Sequence, residues 1–77
     1  EFINQIVTFL GGKENIDNID VVETKLKINV VNLKLCQLEN LKNITEGGIF
    51  VTGNVIKILF KYDSNELKEE LNHYKGV

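Results

Sequence analysis

The chain has 77 residues, 43% of them hydrophobic and 26% charged, which is the size and composition of one domain with a single core and leaves no room for a second. Its nine basic residues, all lysine, are spread along the chain against eleven acidic ones, for a net charge of −2, which argues against nucleic acid as a partner. One cysteine, Cys36, and one histidine, His73, exclude an internal disulfide and a clustered metal site, and no apolar run reaches the roughly 20 residues of a membrane-spanning helix.

The chain begins without methionine, directly on an apolar-periodic stretch, as expected of a single domain over residues 1–77 that is either excised from a longer protein or trimmed at its ends. In that stretch Phe2, Ile3, Ile6, Val7 and Leu10 recur at helical spacing, and Gly11-Gly12 supplies a left-handed stop. After the polar Lys13-Glu14-Asn15, the run Ile19-Asp20-Val21-Val22 reads as a short strand. Leu26, Ile28 and Val30 then alternate with Lys25, Lys27 and Asn29, which marks a second strand with one buried face. Period two puts the two lysines on the face opposite the aliphatic residues.

From Cys36 to Ile44 the apolar positions Leu38, Leu41 and Ile44 return to helical spacing, predicting a short helix that ends near Gly47-Gly48. Two β-prone runs follow, Ile49 to Thr52 and Val55 to Tyr62, joined by Gly53-Asn54, a natural tight hairpin turn. Ser64 offers an N-cap for a third helix, in which Leu67 and Leu71 stack four apart and Glu66, Glu69 and Glu70 face solvent. The order is α-β-β-α-β-β-α. The fold class expected is α+β, a four-stranded, mainly antiparallel sheet with three helices on one face.

Leu10-Gly11-Gly12-Lys13-Glu14-Asn15-Ile16 resembles the opening of the B domains of the glucose family of the bacterial phosphoenolpyruvate-dependent sugar phosphotransferase system. In that family an aspartate follows, then any residue, the phosphoryl-carrying cysteine, any residue, threonine, arginine, leucine and arginine. The same register here reads Asp20-Val21-Val22-Glu23-Thr24-Lys25-Leu26-Lys27. Leu41-Lys42, Gly48-Ile49, Gly53-Asn54 and Val55 to Phe60 resemble the family's second helix, glycine turn and final hairpin, so the similarity spans nearly the whole chain. The departures are Val22 for the cysteine, Lys25 and Lys27 for the two arginines, Lys57 where glutamine is usual and Lys61 where glycine is common.

The resemblance implies a phosphoryl-acceptor position at Val22, flanked by Asp20, Thr24, Lys25 and Lys27. It also implies partners in an A domain, which donates from a phosphohistidine, and in a membrane C domain, which holds the sugar. A cytoplasmic location, tethered to the membrane through such a C domain, follows from the same resemblance. Valine has no lone pair with which to attack phosphorus, so no catalytic residue is expected to be active; neither a metal nor a cofactor is expected. Lysines keep the arginines' charge without their forked, bidentate geometry. Without the resemblance, Thr24, Lys25 and Lys27 read as a strand start and a solvated strand face, and Asp20 as a turn cap.

Three functions remain open at this point. The first is a B-like domain that docks but carries no phosphate; the second is an active carrier using Cys36, Thr24 or His73. The third is an interaction module with no phosphotransferase partner. Cys36 reads first as a small core residue and His73 as a surface group near a helix C-terminus. The isolated domain is expected to be a monomer.

Overall fold

Helix α1, Phe2–Phe9, buries Ile3, Ile6 and Val7 on one face, as the spacing requires. A computed structural model describes residues 2–74 of the chain. After α1 come β1 (Ile16–Val22), β2 (Lys25–Val30), α2 (Leu38–Asn43), β3 (Ile49–Thr52), β4 (Val55–Ile58) and α3 (Ser64–Tyr74). The sheet order is β1-β2-β4-β3, with every neighbouring pair antiparallel. The expected α+β architecture and element order are those observed.

The alternation in β2 does what period two demands. Leu26 and Ile28 are fully buried and Val30 nearly so, while Lys25 and Lys27 lie on the opposite, open face. Ile56 and Ile58 of β4 join them beneath the helices together with Leu10, Leu41 and Leu71, all without measurable exposure. Each such side chain contributes roughly 1.5–3 kcal/mol of transfer free energy, so a domain this small depends on nearly all of them.

Four local boundaries differ from expectation. The first strand starts at Ile16, three residues early, because the register shifts between Ile16 and Asn18 and leaves Asp17 out of the pairing. The last strand stops at Ile58 rather than Tyr62. Beyond it the Leu59 carbonyl accepts the N–H groups of Glu46 and Gly47, and Phe60 packs edge-on against Phe2 with ring centres 5.4 Å apart. The second helix begins at Leu38, preceded by a 3-10 turn over Leu33–Leu35. Asp63, not Ser64, caps α3: its Oδ1 accepts from the N–H groups of Asn65 and Glu66 at 2.8 and 3.2 Å. Among the described residues no helix is long and apolar enough to cross a membrane.

The end of α1 is built around glycine and asparagine. Gly12 N–H reaches back to the Val7 carbonyl and Gly11 N–H to that of Thr8, the paired bonds of a Schellman stop, with Gly11 at φ 99°. A Cβ on Gly11 would lie 2.7 Å from Nδ2 of Asn15 and 2.9 Å from Cβ of Leu35, so only glycine fits. Asn15 is 3% exposed, and its side chain joins three segments. Nδ2 donates to the carbonyls of Leu10 at 2.7 Å and Asn32 at 3.0 Å, while Oδ1 accepts the Asn32 N–H at 2.9 Å.

Replacing Asn15 by alanine strands these buried backbone groups, and the expected loss is roughly 1–3 kcal/mol in chemical denaturation. Asn15→Asp should cost at least as much, because a carboxylate cannot donate to Leu10 or Asn32. Loss of under about 0.5 kcal/mol for both variants would show that water replaces the amide freely.

Candidate functional site

The β1–β2 hairpin closes through Glu23 and Thr24 alone, since Val22 pairs with Lys25. Both turn residues have positive φ, 52° and 71°. That is the backbone of a type I′ turn, whose preferred residues are asparagine and glycine. A β-branched threonine in the left-handed region is strained, at a cost of about 1–2 kcal/mol. The turn is held from behind: the buried Ser64 hydroxyl, at the start of α3, donates to the Thr24 carbonyl at 2.6 Å.

Antiparallel register sets out the open face beside this turn as rows of directly opposed residues. One row is Val22 and Lys25. The next runs Asp20, Lys27, Lys57 and Phe50 across all four strands, and a third runs Asn18, Asn29, Val55 and Thr52. Lys25, Lys27 and Lys57 border a shallow concavity of about 530 Å³, with Val22 and Glu23 at one end and Phe50, Thr52 and Val55 at the other. Lys27 and Lys57 face each other directly, an arrangement that destabilises an isolated sheet by roughly 0.2–1 kcal/mol. None of the three lysines is ion-paired among the described residues.

The one carboxylate in the row is turned away. Asp20 Oδ1 accepts the Val21 N–H at 2.8 Å and meets Lys68 of α3 at 3.6 Å. The Val21 N–H first, and Lys68 second, hold its carboxyl below the usual carboxylate range. Its contribution is therefore complete above the ordinary carboxylate pKa and fades as pH falls through the depressed one. The structure thus brings Val22, Lys25 and Lys27 together around the concavity, with Thr24 in the adjoining turn, and directs Asp20 to the sheet edge.

Phe50 and the Ser64 brace had no signal in the reading of single segments. Lys57 stood out only as a departure from the family pattern. Pairing the two hairpins from their two-residue turns would have put Lys57 and Phe50 in one row, but which hairpin strands become neighbours is a tertiary outcome. None of the three alternative nucleophiles lines the concavity. The Cys36 thiol, half-buried on the helix side, donates to the Leu10 carbonyl at 3.3 Å, and burial raises its pKa. His73 lies exposed in the last turn of α3 with Ile3 and Glu69. No base is hydrogen-bonded to the Thr24 hydroxyl among the described residues. A comparison with models of known protein families finds no match for this chain.

Two outcomes follow from the geometry. Giving the turn its preferred residues with Glu23→Asn and Thr24→Gly should raise stability by about 1–2 kcal/mol, and an unchanged or lower denaturation midpoint would show that the turn is unstrained. Cys36 should react with a thiol reagent more slowly than a free cysteine at neutral pH, because a raised pKa leaves less thiolate. Equal rates would contradict the packing given for its sulfur.

Proposed function

We propose that this chain is a B-like domain of a sugar phosphotransferase system that engages phosphotransfer partners without itself carrying the phosphoryl group. The observation that carries the reading is the strained Glu23-Thr24 turn, which stands beside Val22 where the resemblance implies the acceptor, with Lys25 and Lys27 on the same open face. Backbone strain of this kind concentrates at functional sites, and a hairpin free of other demands would carry asparagine and glycine.

In the family's reaction a thiolate sulfur attacks phosphorus, the bond from phosphorus to the donor histidine nitrogen breaks, and the phosphoryl group moves on to sugar. A valine side chain can take no part in this. What the site retains is positive charge on a shallow surface: Lys25 and Lys27, with Lys57 opposite Lys27. Such a surface attracts an anionic partner through long-range electrostatics, which salt weakens. On this reading the domain serves docking or regulation, in company with an A domain and a membrane C domain, on the cytoplasmic side.

The test mixes the chain with a phosphorylated A domain and follows intact mass and backbone NMR shifts. The expected result is no mass gain, with shifts concentrated at residues 22–27. The triple variant Val22→Cys, Lys25→Arg, Lys27→Arg should gain one phosphoryl group and protect the new thiol from alkylation. A phosphoryl group found on Thr24, Cys36 or His73 of the unaltered chain would overturn the proposal. So would a folded triple variant that neither binds nor accepts phosphate from any compatible A domain.

A further inference from the structure

The sheet has two edges, and they are finished differently. At the β1 edge the ladder is broken by the register shift at Ile16/Asn18, Asp17, Asn18 and Asp20 are exposed, and α3 packs alongside. In a two-residue hairpin the Val22–Lys25 pair exchanges hydrogen bonds, so the N–H of Val21 points outward. That donor is already taken by the Asp20 carboxylate, which Lys68 pins from outside. Charge, a bulge and a capped donor are the devices by which sheet edges resist pairing.

At the other edge none of them is present. The hairpin through Gly53-Asn54 makes Thr52 and Val55 a hydrogen-bonded pair, so alternation directs the N–H and C=O groups of Ile49 and Val51 away from β4. No partner for either N–H occurs among the described residues. The strand Ile49-Phe50-Val51-Thr52 has no charged residue, is β-branched or aromatic throughout, and leaves Phe50 58% and Val51 38% exposed. A donor–acceptor row of this composition accepts another strand.

We infer that β3 pairs with β3 of a second copy, antiparallel across a two-fold axis at Phe50, to give one continuous sheet through two molecules. With Phe50 opposite its own counterpart, Ile49 of each copy faces Val51 of the other, and each such pair exchanges both of its N–H···O bonds. The charges favour this occupant. The pairing strand is neutral, and the nearest like charges, Lys57 of each copy, stand three strand spacings apart, about 14 Å, beyond the screening length of about 8 Å at physiological salt. Because the β1 edge is capped, growth stops at two chains; an isologous dimer closes where a head-to-tail contact would extend. The dimer also places two copies of the lysine-lined face side by side.

The experiment is sedimentation equilibrium of the chain from micromolar to millimolar concentration, with amide hydrogen exchange read at Ile49 and Val51. The apparent mass is expected to rise from one chain to two and level there, with both amides gaining protection as it rises. Val51→Pro removes an outward N–H that the β3–β4 ladder does not use, so the monomer should keep its fold. It should weaken association roughly tenfold or more. Phe50→Lys, which brings two charges together on the axis, should give monomers at every concentration. A mass that stays at one chain with both amides exchanging freely, or that climbs past two chains, would overturn the inference. A dimer indifferent to both substitutions would do the same.

Discussion

The fold turns on the buried side-chain amide of Asn15. It lies where the end of α1, the start of β1 and the loop after β2 converge, and each of these segments ends with backbone groups that need partners. One amide satisfies the Leu10 carbonyl, the Asn32 carbonyl and the Asn32 N–H, while its own main-chain oxygen accepts from Val31. Among common side chains only a carboxamide presents two donors and an acceptor in one plane. Gly11 is the second half of the same device, since any Cβ there would occupy the space of the amide. The angle at which α1 leaves and β1 enters is thereby determined, and with it the face of the sheet that the helix covers.

The β1–β2 hairpin is thus secured at both ends, by Asn15 at its base and by Ser64 at its turn. The two anchors differ in kind. At the base the Asn15 amide has partners for both its donor and its acceptor atoms, whereas the turn holds Glu23 and Thr24 in a conformation their side chains disfavour. Helix α3 offsets that strain with a single buried hydroxyl, which explains why Ser64 is not the helix cap: its oxygen is directed to the turn, and Asp63 takes over the capping.

The open face shows the same pattern of local cost. Among the described residues the three lysines form no ion pair, two of them are directly opposed, and the one acid in their row bonds to the Val21 N–H and Lys68. Electrostatic repulsion tolerated next to backbone strain marks this end of the molecule off from its core, where Leu26, Ile28, Ile56 and Ile58 pack without measurable exposure. The two edges divide along a similar line, one blocked by Asp20 and Lys68 and the other left as bare, neutral strand.

By itself the sequence determined the element order, the Gly53-Asn54 hairpin turn and the buried face of β2, whereas the Glu23-Thr24 turn, which lacks the residues such a turn prefers, was not legible. The legible features depend on interactions within a few residues: helical spacing in α1, the alternation of Leu26, Ile28 and Val30, and glycine at positive φ. Strand ends were less legible, because Ile16 and Leu59 owe their pairing or release to residues far along the chain. The lysine row shows the division most clearly. Lys27 could be assigned to a face from period two, but its opposition to Lys57 and Phe50 exists only because β4 inserts between β2 and β3. The same is true of Asn15, whose partners lie 5 and 17 residues away, and of Ser64, 40 residues from the carbonyl it bonds. Contacts over such separations are set by how the helices and hairpins pack, and no local propensity encodes them.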